Sequence, residues 1–232
     1  MSPSSRLPGF YTLALPERVN TVAAWANLTL EEQAILTSEI PLSPELADKL
    51  IENVVGVFGL PLGIAANFRV NGRDVLVPMA VEEPSVVAAA SNMAKLARAT
   101  GGFRATSTEP EMIGQIQLLD LPDLDAAREA ILTHKQELLE AAACCDKVVV
   151  ELGGGPRDIE VRLLEKTPAG PMLIVHLIYD CRDAMGANMV NTACEEIAAP
   201  LERITGGRAG LRILSNLADR RLARAECTIP AD

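Results

Sequence analysis

Aromatic side chains are scarce, 3% of 232 residues, and Trp25 is the sole tryptophan. Basic charge is outnumbered as well, 21 Lys and Arg against 31 Asp and Glu, a net −10. Gripping duplex DNA takes a basic surface and single strands are held on stacked aromatics, so neither mode of nucleic-acid binding fits. Long apolar runs are missing too. The stretch Val54–Ala66 is broken by Pro61 and falls short of the roughly 20 residues that cross a bilayer, so no membrane span is read. The N-terminus, MSPSSRLPGF, places Pro3 and Pro8 where a secretory signal would carry its apolar segment. Five cysteines make an odd number without CxxC spacing, which points to reduced thiols in a cytoplasmic setting and to no disulfide frame or metal site. There is no GxGxxG, and the two histidines, His134 and His176, form no recognisable catalytic arrangement with Ser, Cys or Asp.

What is present is a folding chain. Hydrophobic residues make up 49% and mean hydropathy is +0.19, enough to bury a core. The first hundred residues read as helices with one hairpin. Thr29-Leu-Glu-Glu32 is a capping box, and Ser43-Pro44 is an N-cap followed by proline, so short helices begin near Leu30 and Pro44. Asn71-Gly72 between two alternating segments predicts a tight hairpin. An alanine-rich helix is expected from Pro84 to Gly101-Gly102.

Beyond Gly102 the pattern changes. A strand at Ile113–Leu121, a helix from Pro122-Asp123 to about Ala142, an extended piece at Lys147–Leu152, a hairpin of Ile159–Lys166 with Met172–Tyr179, a helix from about Ala184 to Thr205 and a strand at Leu211–Leu214 follow in order. A further strand is expected at Ala225–Ile229. Without the 147–152 piece the order is β-α-β-β-α-β, the unit of ferredoxin-like domains. The expected class is α+β: a helical large-domain portion over 1–108, an inserted ferredoxin-like module over 109–216, and a return segment at 217–232.

The chemistry is less explicit. Asp183-Ala-Met-Gly-Ala-Asn188 puts small residues at a strand-to-helix junction. That could open a helix N-terminus to a phosphate, or Asp183 could simply cap a tightly packed helix. Glu82-Glu83-Pro84-Ser85 either complements a helix dipole or, in a partly dry cleft, holds a carboxyl able to donate a proton. Gly153-Gly154-Gly155 could cradle an anion but reads more simply as a loop.

Together, Ile51-Glu-Asn-Val-Val-Gly56, Asn71-Gly-Arg-Asp-Val-Leu-Val-Pro78, Val81-Glu-Glu-Pro-Ser-Val-Val-Ala-Ala-Ala90, Asp183-Ala-Met-Gly-Ala-Asn188 and Ser215-Asn-Leu-Ala-Asp-Arg220 resemble, in order and spacing, the bacterial branch of the 3-hydroxy-3-methylglutaryl-coenzyme A reductases. The resemblance spans essentially the whole chain. It implies interconversion of the hydroxymethylglutaryl thioester with mevalonate and coenzyme A, using two hydrides from a nicotinamide cofactor. It matches Glu83 to the proton-donating glutamate, Ser85 and Asn216 to substrate contacts, and Asp183, Ala184, Met185, Gly186, Ala187 and Asn188 to the cofactor loop. Asp146 matches the acid that meets the adenine ribose, which leads us to expect NAD(H) over NADP(H). A homo-oligomer, dimer or higher, is implied as well.

In that family a catalytic lysine, an aspartate and a general-acid histidine lie beyond the position of residue 232. The chain is therefore expected to be an N-terminal portion that is inactive alone. The alternatives are a non-catalytic nucleotide-binding module and a shortened subunit that needs a partner chain.

Overall fold

The computed structural model describes residues 3–38 and 42–230. Residues through Ala105, together with those from Ala225, form one compact unit, and Thr106–Arg224 form a second.

The first unit opens with a 3-10 turn at Phe10–Thr12, followed by α1 (Leu15–Ala26), α2 (Leu30–Thr37) and α3 (Pro44–Ala47). Thr29 caps α2 in the expected box, and the Ser43 hydroxyl accepts from Leu46 N at 3.2 Å at the start of α3. Four short strands follow: β1 (Leu62–Ala65), β2 (Arg69–Val70), β3 (Arg73–Asp74) and β4 (Val77–Ala80). β1 pairs antiparallel with β4, and β2 with β3. Asn71 (φ 49°) and Gly72 (φ 77°) turn the β2–β3 hairpin in the doubly left-handed geometry that Asn-Gly favours. The unit then builds α4 (Val86–Arg98), which buries Ala94 and Ala97. A polar knot ties the N-terminal segment to this frame. The Ser5 hydroxyl, fully buried, donates to Phe68 O at 2.6 Å, and Arg98 donates to Asp74, to the Ser5 hydroxyl and to Asn67 O. The guanidinium beside Asp74 holds its carboxyl below the ordinary range.

The chain leaves the first unit along β5 (Arg104–Ser107). The second unit runs β6 (Glu111–Leu119), α5 (Leu124–Thr133), α6 (Lys135–Ala143), α7 (Lys147–Glu151), β7 (Gly155–Leu164), β8 (Met172–Asp180), α8 (Ala187–Thr205) and β9 (Arg208–Leu214); β10 (Ala223–Glu226) then pairs with β5. The four long strands form one antiparallel sheet in the order β7-β8-β6-β9. Alternation sets its faces. Leu173, Val175, Leu177 and Tyr179 of β8 join Ile116 and Leu118 of β6 in a core closed by Ile131, Leu138, Ile197 and Leu201 from the helices.

Several elements depart from the sequence reading. Lys147–Leu152 is not extended: residues 147–151 form α7, because the Asp146 carboxylate accepts from Val149 N at 3.0 Å and caps a helical turn that outweighs the strand preference of three valines. The expected single helix from Pro122-Asp123 to Ala142 is two helices, broken at His134 (φ −96°, ψ 13°). The alanine-rich helix starts at Val86 rather than Pro84, behind a left-handed Ser85 (φ 75°). The long helix starts at Ala187 rather than Ala184, behind a left-handed Gly186. The last strand is Ala223–Glu226 rather than 225–229. Among the described residues, no helix is long and apolar enough to cross a membrane. All five cysteines are free, and burial pushes the Cys181 thiol up to about 11 and the Cys194 thiol up to about 12, so neither forms a thiolate near neutral pH.

His176 of β8 lies on the sheet face away from the helices, in register with Gln115 and Glu160, and is 4% exposed with Nδ1 unpartnered among the described residues. Burial, helped by Arg162 and Arg220 and opposed by Glu160 and Asp219, holds its imidazole below the ordinary 6.5. As pH falls below that value the unfolded chain takes up a proton that the folded protein resists. Stability contributed by neutral His176 is thus complete above about pH 6.5 and lost on acidification, at up to about 1.4 kcal/mol per pH unit for one proton. His176→Gln is expected to flatten the decline of melting temperature between pH 7.5 and 5.5. An unchanged slope would show that His176 does not set it.

Candidate functional site

The Glu82-Glu83-Pro84-Ser85 turn joins β4 to α4 at the edge of a cleft of about 1230 Å³ in the first unit. The volume exceeds the roughly 300–1,000 Å³ typical of small-molecule sites, which suits a long ligand. Apolar walls come from Pro61, Leu62, Val81 and Val87, and cations from Arg6, Arg18 and Lys95. The Nε of Arg18 is buried with no partner among the described residues, so it has a donor to give. Ser85 holds α4 by its carbonyl, which accepts from Ala89 N at 2.7 Å, while its hydroxyl makes no cap. A left-handed non-glycine residue is strained, and such strain collects at functional turns. Glu83 is exposed and makes no hydrogen bond or ion pair among the described residues. Glu83 lines the cleft yet stays exposed, so of the two alternatives the partly dry surroundings are not met in this turn.

The second place is the turn between β8 and α8. Asp183 does not cap the helix. The N-cap is Gly186 (φ 92°), the Met185 thioether accepts from Ala187 N at 3.4 Å, and the first turn of this 19-residue helix carries no acid. Gly186 is wedged rather than open. A Cβ there would stand 2.5 Å from Cys181 Sγ and 2.7 Å from Met112 Sδ, so the small residue serves packing. Asp183, Ala184, Met185 and Asn188 are exposed. Upstream, the buried Asp180 carboxylate pairs with Arg157 at 2.7 Å and Arg182 at 3.6 Å, and both arginines donate to Gly153 O. Gly153 and Gly154 thereby form a packed turn into β7, which Gly155 begins, with the Gly153 carbonyl facing two guanidiniums. On the other side of the turn Arg221 donates to the carbonyls of Ala184, Met185 and Arg182.

Glu83 and Ser85 belong to the first unit, whereas Asp146, residues 183–188 and Asn216 belong to the second. Asn216 is exposed on the segment after β9. Sequence reasoning missed Arg6, Arg18 and Lys95, which come from three separate segments. It also missed Arg221, for which no local pattern announces a partner 36 to 39 residues away.

The profile of the hydroxymethylglutaryl-coenzyme A reductase family matches residues 14–232. A 3-hydroxy-3-methylglutaryl-coenzyme A reductase from Archaeoglobus fulgidus is 55% identical over 230 residues, which cover 99% of this chain and 52% of that protein. A probable member from Borreliella burgdorferi is 30% identical over 171 residues, 72% of this chain and 37% of that one. Among solved structures, the class II reductase of Streptococcus pneumoniae bound to NADPH in open conformations superposes with a TM-score of 0.90 at 40% identity, covering 96% of this chain and 60% of that one. The chain spans about half the length of the archaeal relative it matches.

The NADPH-bound neighbour overturns the expectation of NAD(H) over NADP(H). The Asp146 carboxylate caps α7 by accepting from Val149 N, so an acid at this position is explained by the helix start and is not by itself a sign of a ribose contact.

Proposed function

The chain belongs to the hydroxymethylglutaryl-coenzyme A reductase family, and from that premise we propose that it forms the thioester-binding and cofactor-binding parts of an enzyme that reduces 3-hydroxy-3-methylglutaryl-coenzyme A to mevalonate and coenzyme A. The observation that carries the reading is the cleft beside Glu83. It is large, apolar along its walls and lined by Arg6, Arg18 and Lys95, a fit to a thioester whose carrier bears phosphates. Glu83 is the proton donor to the oxygen that gains charge in reduction, and Ser85 contacts the hydroxymethylglutaryl group. Asn216 is a further substrate contact.

The second unit we read as the inserted ferredoxin-like cofactor domain; its element order and its sheet order β7-β8-β6-β9 support this. Residues 183–188 hold the dinucleotide, with NADP(H) as the form favoured by the NADPH-bound neighbour. The fit rests on the N-terminus of α8, where Ala187 N meets only the weak Met185 thioether, on the absence of acid in its first turn and on the close-packed Gly186. When bound, the nicotinamide supplies hydride; the chain's own residues orient it and hold the phosphates.

A subunit that completes its site with further polypeptide is favoured by one observation. Glu83 is exposed, and Val55, Phe58 and Leu62 present apolar surface in the same unit. A homo-oligomer, dimer or higher, would cover such surface. The 232-residue chain alone is accordingly expected to bind NADPH yet give no turnover, since hydride transfer needs its charge met in a site closed to water. NADPH absorbance followed with hydroxymethylglutaryl-coenzyme A present tests this. Steady oxidation by a homogeneous sample would overturn the expectation of inactivity, and failure to bind either ligand would overturn the functional reading.

A further inference from the structure

The turn between β8 and α8 is shaped from behind by one side chain. Arg221 Nη1 donates to Ala184 O at 3.1 Å and Met185 O at 3.4 Å, and its Nη2 donates to Ala184 O at 3.1 Å and Arg182 O at 3.4 Å. In a planar trans peptide the carbonyl and the following N–H point to opposite sides. With the carbonyls of 182, 184 and 185 turned to Arg221, the amides of Asp183, Met185 and Gly186 face the other way. None of those three amides makes a hydrogen bond among the described residues. They adjoin the first turn of α8, where Ala187 N meets only the weak Met185 thioether, so free donors gather on one side of the turn and a permanent positive charge stands behind the other.

The segment that carries Arg221 is itself pinned to this unit. Ser215 N donates to Ile113 O at 2.8 Å, Arg220 pairs with Glu160, and Leu222 N donates to the Thr108 hydroxyl at 2.9 Å. Nothing in the resemblance or in the sequence pattern gives Arg221 a task.

We infer that Arg221 is a positioning residue for the cofactor: its guanidinium gathers three carbonyls so that the opposite face of the turn presents amides to an anionic diphosphate. The inference rests on the reading of 183–188 as the dinucleotide turn. Arg221 does not touch the cofactor. It sets which side of the turn is positive, and its planar fork reaches three carbonyls that a lysine ammonium serves less well.

The test compares Arg221→Met, Arg221→Lys, Arg221→Ala and Gly186→Ala in the purified protein, using NADPH and hydroxymethylglutaryl-coenzyme A as separate titrants in calorimetry. Arg221→Met is expected to raise the NADPH dissociation constant on the order of tenfold or more, with Arg221→Lys in between. Thioester affinity should stay within about twofold. Methylguanidinium added to Arg221→Ala should restore NADPH binding, which loss of general packing would not allow. NADPH affinity unchanged in Arg221→Met but weakened in Gly186→Ala would overturn the inference while leaving the cofactor turn in place. Affinity unchanged in both would overturn the reading on which it rests. Should Arg221→Met not fold, amide hydrogen exchange at 183–188 in Arg221→Lys decides: faster exchange than in the parent is expected, and equal exchange refutes the role.

Discussion

Glutamine at position 83 is expected to lower kcat for thioester reduction by about 10²–10⁴-fold, the usual worth of a positioned general acid, while thioester affinity changes little. Glutamine keeps the size and polarity of the side chain and removes both its negative charge and its transferable proton. The turn that bears it is fixed independently of the carboxylate. Pro84 limits the backbone, Ser85 is held left-handed, and the Ser85 carbonyl accepts from Ala89 N. A loss of rate in Glu83→Gln would therefore report on chemistry rather than on collapse of the turn. Glu82→Gln is the matched control: the two carboxylates are neighbours on the same exposed stretch, and only one is assigned the proton. The measurement is steady-state turnover in the catalytically competent assembly, with thioester binding followed by calorimetry. Equal losses in the two variants would mean that the turn needs negative charge in general. A Glu83→Gln enzyme within a few-fold of the parent would remove Glu83 from the proton-donor role.

Where the sequence spoke clearly, the signal was local and chemically specific. Asn71-Gly72 dictates its own turn because both residues tolerate positive φ, and Thr29 with Glu32 cap each other across three residues. The β7–β8 hairpin was visible through alternation on both sides of a Thr-Pro-Ala-Gly turn, whose Gly170 N donates to Thr167 O. Where two local signals competed, the reading failed. At 147–151 the run of valines argued for a strand, whereas the fold lets the Asp146 carboxylate cap a helical turn and Val149 bury itself against the core. The same Asp146 misled the cofactor assignment, since a carboxylate that caps a helix and one that meets a ribose look alike in sequence. Arg221 and the cleft cations Arg6, Arg18 and Lys95 were illegible for a different reason. Their meaning depends on partners brought together only by the fold, while Glu83, Ser85 and 183–188 were singled out through likeness to a family rather than through spacing.

Valine at position 186 is expected to abolish measurable NADPH binding, with damage centred on the turn before α8. Two separate costs combine there. Gly186 sits at φ 92°, where an L side chain costs about 1–2 kcal/mol from the clash of Cβ with the backbone. The Cβ would also stand 2.8 Å from Cys181 Cβ, beside the closer Cys181 and Met112 sulfurs, and overpacking of this kind typically costs about 1–3 kcal/mol. Cys181 is fully buried and Met112 packs against the core cluster, so the neighbours cannot retreat without disturbing β8 and β6. The cheaper response is for the turn to move, which would carry the Met185 and Gly186 amides and the first turn of α8 out of line. Gly186→Ala carries the strain and the first clash but not the valine branches, so it should keep the fold and lose only part of the affinity. Cys181→Ala in the Gly186→Ala background lowers the packing cost alone, because it removes the nearest sulfur while Met112, the Cβ at 181 and φ stay unchanged. Partial recovery of NADPH affinity in the double variant, with thermal melting to confirm folding, is the expected result. Affinity equal to the parent in Gly186→Val would mean that the dinucleotide does not rest on this turn.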